Sequence, residues 1–254
     1  ANKEQHCKIR MENNKVIDID ATPDAENGTL KRIFQDRKRT NILSIPEQAT
    51  ISYLVKRVPA FITSNTLTVI GTLGSFLVLF GFILANYLDR SYLLLGILGL
   101  AINWLGDSLD GRIAYYRNIP RKWFGFSLDI IMDWVGTVLI GLGYMVYARN
   151  QFELIAFIFV ALYGWAMIIS QLRYKITDIY SIDSGIVGPT EVRVILSIII
   201  IIEVIQPHLI EYFATAMCIT LFIINTLDTR KLLKLGDIRD DAERKEKLAK
   251  KNPA

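Results

Sequence analysis

Six long apolar blocks separated by short polar connections run along the chain, at about 66–88, 92–113, 123–147, 152–172, 190–206 and 209–229. Each is close to the roughly 20 residues an α-helix needs to cross a bilayer. The fifth is the shortest, yet its core Ile195-Leu196-Ser197-Ile198-Ile199-Ile200-Ile201-Ile202 belongs in lipid or protein. The pattern predicts an all-α polytopic membrane protein with six transmembrane helices, and an even number of crossings puts both ends on one side. Ahead of the first block, Ile51 and Tyr53-Leu54-Val55 followed by Lys56-Arg57 fit an amphipathic juxtamembrane helix held by anionic headgroups, although a solvated linker fits as well. The expected organisation is a polar extension over 1–45, the juxtamembrane helix over 46–64, a six-helix domain over 65–230 and a charged tail over 231–254, read as a frayed helix.

Composition agrees with this pattern. Of 254 residues 52% are hydrophobic, and the mean hydropathy is +0.31, too apolar for an ordinary soluble domain. The chain carries 29 Lys and Arg, and in this topology only Arg90 and Arg149 fall on the face opposite the termini. The positive-inside rule then makes the termini cytoplasmic. That sidedness also explains the pI of about 9.0, so nucleic-acid binding is not expected. No segment of the first 58 residues has the charged, apolar, small-residue order of a signal peptide. Cys7 and Cys218 are too far apart in context to form a disulfide framework, and His6-Cys7 alone is a weak metal cluster. Trp104, Trp123, Trp134 and Trp165 read as packing or interface anchors.

Four aspartates break the apolar pattern. Asp107 and Asp110 lie three apart in the second block, and Asp129 and Asp133 four apart in the third, so each pair shares one face of a helix. An ionisable group near the bilayer centre costs at least about 2.5–3.5 kcal/mol, so four of them point to a bound cation, a proton path or a polar cavity. With no His or Cys beside them they offer oxygen alone, the ligand set preferred by hard divalent ions such as Mg²⁺ or Mn²⁺. Both pairs flank the connection Arg117-Asn118-Ile119-Pro120-Arg121-Lys122, which places the site toward the cytoplasm. The structural alternative is aspartates paired with Arg112 or Arg117 to hold the helices together.

Written out, Asp107-Ser-Leu-Asp110-Gly111-Arg-Ile-Ala114, followed downstream by Gly125-Phe-Ser-Leu-Asp129-Ile-Ile-Met-Asp133, resembles the signature of the CDP-alcohol phosphotransferase family. That signature reads D-x2-D-G-x2-A-R, eight or nine residues, G-x3-D-x3-D, and one fixed position departs, where Tyr115 stands in place of the arginine. The resemblance implies a membrane enzyme that transfers a substituted phosphate from a CDP-linked donor to an alcohol and releases CMP. It further implies two metal ions held by Asp107, Asp110 and Asp129, with Asp133 a ligand, the general base, or both, and a homodimeric assembly. Gly111 lets a phosphate approach the backbone, while Ala114 and Gly125 keep the helix faces narrow for packing and nucleotide access. Loss of the motif arginine shifts the expected grip on the donor phosphate to Arg112 or Arg117.

Upstream, Asn65 and Thr68 resemble the family's nucleotide contacts at the start of its first span, and Asn65 also reads as a helix N-cap. Downstream, Arg173 and Lys175 close the fourth span, and Glu191 and Arg193 open the fifth. These cations could bind acceptor or donor phosphate, with Glu191 orienting Arg193, although positive-inside flanking explains Arg173 and Lys175 equally. The preferred reading is transfer of a phosphatidyl group from CDP-diacylglycerol to inositol phosphate, glycerol phosphate or serine, in phospholipid synthesis. Its runner-up is a choline or ethanolamine phosphotransferase acting on diacylglycerol. Rivals of other classes are a cation- or proton-coupled transporter using the same aspartates, and a scaffold with a structural cation site.

Overall fold

The computed structural model describes residues 9–12, 15–18, 43–177 and 188–251. The His6-Cys7 pair and Gly185, part of the segment leading into the fifth span, lie outside them. Two compact units divide the chain, one over residues 1–36 and one over 37–254. In the first, strands β1 (Ile9–Glu12) and β2 (Lys15–Asp18) pair antiparallel with Ile9 opposite Asp18 and Glu12 opposite Lys15.

Among its described residues the second unit is all-α. Its helices are α1 (Ser44–Val55), α2 (Ser64–Tyr87), α3 (Leu93–Tyr116), α4 (Lys122–Tyr147), α5 (Glu153–Thr177), α6 (Pro189–Ile205) and α7 (Leu209–Lys251). Five of them, α2, α3, α4, α5 and α7, are long and apolar enough to span a bilayer, and the chain is an integral membrane protein on that ground. The shortest predicted block forms α6, of 17 residues, which measures roughly 25 Å against a hydrocarbon core of about 30 Å. The last apolar block and the charged tail form one continuous 43-residue helix, α7.

Glycine sets the packing. A Cβ on Gly74 would sit 2.5 Å from Asn103 N, one on Gly106 2.5 Å from Gly71 N, and one on Gly81 2.9 Å from Gly96 N. Helices α2 and α3 therefore touch backbone to backbone along their length, antiparallel, as small residues permit in lipid, where no hydrophobic force drives helices together. On another face of α2, Gly136 of α4 lies against Ser75 and Gly143 against Leu79 and Phe82, which makes α4 parallel to α2. These two registers bring the aspartates of α3 and α4 to one level, roughly 9–16 Å along their helices from the α3–α4 turn.

That turn is closed by local chemistry. Asn118 adopts φ 55°, a left-handed conformation that asparagine tolerates, and Ala114 O accepts from Ile119 N at 3.0 Å, ending α3 in a Schellman-like cap. Helix α1 buries one face in protein. Ile51 and Val55 are buried in protein and Glu47 with them, and α1 packs on α3. Thr190 Oγ1 donates to Glu47 Oε2 at 3.0 Å, which ties α1 to the start of α6.

Candidate active site

Carboxylate oxygens of Asp107, Asp129 and Asp133 lie within 4.8 Å of one another. Three carboxylates this close inside apolar helices call for charge compensation, and their all-oxygen set suits a hard divalent ion. Asp110 stands beside this group with its own partners. Thr68 Oγ1 donates to Asp110 Oδ2 at 2.8 Å, and the Gly111 N–H donates to Oδ1. Thr68, expected at the nucleotide, is thus a partner of an aspartate, delivered by the glycine register of α2 on α3.

The cation facing the cluster comes from α6. Arg193 Nη2 donates to Asp107 Oδ2 at 2.8 Å and its Nε to Asn103 Oδ1 at 2.9 Å. Asn103 in turn donates from Nδ2 to Gly71 O and to Ser75 Oγ, both at 3.1 Å. Glu191 serves the start of α6. It forms the capping box of α6, with Gly188 N donating to Oε2 at 3.0 Å, and accepts from Leu43 N through Oε1 at 2.8 Å. Pro189 at the first helical position needs no N–H partner there.

Arg117 and Arg112 part ways. The Arg117 guanidinium donates to four carbonyls of the segment before α2: Ile62 O at 2.6 Å, Pro59 O at 2.9 Å, Val58 O at 3.1 Å and Ala60 O at 3.4 Å. That is a clamp on the approach to α2. Arg112 is buried, with 7% of its surface exposed. Thr63 caps α2, accepting from Thr66 N at 3.2 Å while Thr66 Oγ1 accepts from Thr63 N at 3.4 Å. The N-cap expected at Asn65 therefore falls two residues earlier, because the paired threonines satisfy both orphan donors. Asn65 Oδ1 accepts from Arg121 Nη2 instead, and Arg121 also lies over the Phe124 ring, 4.3 Å from its centroid. Arg173 pairs with Asp228 of α7 at 3.5 Å. Lys175 is exposed, and its carbonyl accepts from Arg239 Nη1 at 2.9 Å.

Space for a substrate is present. A Cβ on Gly111 or Gly125 would meet nothing within 4 Å, in contrast to the crowded glycines of α2 and α3. An open pocket with a cavity volume of about 40 Å³ is lined by Asp133, Arg193, Ser75, Asn103, Thr137 and Tyr163 among others. Past Leu100, Ile140, Phe159 and Leu196 the interior becomes largely apolar, lined by Val78, Phe82, Tyr144 and Ile200 among others. Asn103 and Arg121 escaped the sequence reading. For Asn103 a signal existed, since it lies four residues before Asp107 on the same helical face; for Arg121 only its place in a basic connection was visible.

No match was found among curated proteins. The family model described as CDP-alcohol phosphatidyltransferase matches residues 61–225, a span that begins just before α2 and contains the aspartates, the Tyr115 departure and Arg193. An acidic cluster able to hold a metal, in membrane helices that carry this signature, fits that match, and the chain belongs to the CDP-alcohol phosphatidyltransferase family.

Proposed function

We propose that this protein transfers a phosphatidyl group from CDP-diacylglycerol to a polar alcohol, such as inositol phosphate, glycerol phosphate or serine, and releases CMP. The observation that carries this reading is the convergence of Asp107, Asp129 and Asp133 within 4.8 Å, beside a pocket that Asp133 and Arg193 line together. Asp107, Asp110, Asp129 and Asp133 would hold two Mg²⁺ or Mn²⁺ ions, which supply charge neutralisation and polarise the pyrophosphate. Asp133 takes the proton of the acceptor hydroxyl. The acceptor oxygen bonds to the phosphorus that carries diacylglycerol, the bond from that phosphorus to the bridging oxygen breaks, and the electron pair leaves with CMP. Arg112 and the open backbone at Gly111 hold the donor phosphates, while Asn65, Thr68, Ala114 and Gly125 border the nucleotide. The protein works as a homodimer with its termini and site on the cytoplasmic side.

A polar acceptor is favoured by the lining of the pocket, where Ser75, Asn103, Thr137 and Tyr163 surround one guanidinium. A transporter would need that polar lining to continue across the membrane, and the interior beyond it is apolar. Purified protein in mixed micelles with CDP-diacylglycerol should carry a radiolabelled polar alcohol into the lipid fraction. Labelled diacylglycerol converted by CDP-choline or CDP-ethanolamine, with no incorporation of any polar alcohol, would reverse the assignment of donor and acceptor.

A further inference from the structure

Asn103 sits inside the membrane on α3 and joins three helices. Its Nδ2 donates to Gly71 O and Ser75 Oγ of α2 at 3.1 Å, and its Oδ1 accepts from Arg193 Nε of α6 at 2.9 Å. Because Gly74 presses on Asn103 N, the backbone of this residue is fixed and its amide has little choice of direction. Both ends of the amide are therefore satisfied only when Nδ2 faces α2 and Oδ1 faces Arg193. The guanidinium so held reaches Asp107 Oδ2 with Nη2 at 2.8 Å. Arg193 is therefore kept on one of the carboxylates that a metal would use.

We propose that Asn103 is a positioning residue that sets the metal affinity of the site through Arg193, by holding the guanidinium against Asp107 so that an incoming divalent cation must displace it from that carboxylate. This rests on the metal reading of the aspartates given above. Displacement leaves Arg193 anchored at Asn103 with Nη2 turned free toward the pocket, where an anionic group of a substrate can take it. The site then exchanges one cation for another without leaving Asp107 unpaired, an arrangement that suits a carboxylate within a bilayer.

The test is direct Mn²⁺ binding to the full chain in detergent, by calorimetry or by the free-ion paramagnetic signal, for wild type, Asn103→Ala, Arg193→Gln and the double variant. Loss of a charge-assisted contact of this kind changes an equilibrium by on the order of tenfold. Asn103→Ala should therefore tighten Mn²⁺ binding by about that factor in the wild-type background and leave it unchanged in the Arg193→Gln background, which is the signature of coupling between the two residues. Asn103→Ser, with an oxygen too short to reach Arg193, replaces the alanine variant in the cycle if that one does not fold. Equal effects in both backgrounds, or no effect of Asn103 on Mn²⁺ affinity, would overturn the inference while the metal reading stands. Wild-type protein whose Mn²⁺ binding is absent or insensitive to Asp107→Asn would overturn the metal reading and this inference with it.

Discussion

Arg117, just past the end of α3, and Asp133, on α4, act by different physics. A guanidinium that serves four carbonyls of residues 58–62 is a structural group, so Arg117→Ala should lower unfolding stability by on the order of 2–3 kcal/mol in a denaturation series in detergent, with little change in donor affinity. Arg112→Ala, by contrast, should raise the apparent donor constant by roughly ten- to a hundredfold, the scale of one charge-assisted phosphate contact. Asp133→Asn should bind the CDP-linked donor nearly as well as wild type and transfer nothing, because a base acts on the acceptor hydroxyl and not on the nucleotide. Calorimetry that showed this variant losing donor affinity as severely as Asp107→Asn would make Asp133 principally a metal ligand. At this scale the sequence spoke clearly where spacing carried chemistry, since carboxylates three and four apart must share a helical face. It was silent on partners. Arg112 and Arg117 are alike on paper, and only the path of residues 58–62 past the end of α3 separates their surroundings.

Between helices, the decisive feature is where the chain has no side chain at all. Gly74, Gly81, Gly96, Gly99 and Gly106 let α2 and α3 meet at backbone distance, and this contact brings Thr68 to Asp110 and Asn103 to Gly71. Gly74→Ala should therefore reduce thermal stability and activity together, because a Cβ 2.5 Å from a backbone nitrogen forces the helices apart, at a cost of about 1–3 kcal/mol or more. Gly111→Ala has open space around it and should keep the wild-type melting temperature while weakening donor binding, since the methyl enters the volume assigned to phosphate. A melting temperature depressed equally by both variants would contradict that distinction. The glycine stripe was not legible beforehand, because its period is masked by apolar neighbours that face lipid or protein with equal ease. The docking of helix α1 on the bundle was hidden for a related reason. Its alternation suited a membrane surface, and the buried Glu47 was readable as a docking group only once Thr190 was seen to donate to it.

For the whole molecule, the hydrophobic blocks foretold the helices well because bilayer thickness dictates their length. The fifth block folds as α6, whose 17 residues are short for a span but suffice to deliver Arg193, the fifth of them, into the bundle. Sidedness rests on the distribution of Lys and Arg and predicts that a cysteine introduced in the tail beyond Lys245 is labelled by an impermeant thiol reagent only after inside-out exposure of the membrane. The same arrangement sets the carboxylates and Arg193 toward one end of the helices, with a largely apolar interior beyond them. The central claim is metal-dependent cleavage of a CDP-linked donor at the aspartate cluster. It is tested most directly by measuring CMP released from CDP-diacylglycerol by purified protein as Mg²⁺ is titrated, with a mixture of polar alcohols present. Release should require the divalent ion, stop on chelation, and fall by several orders of magnitude in Asp107→Asn and Asp129→Asn. Release that persists after exhaustive chelation, or at near wild-type rate in both variants, would contradict it.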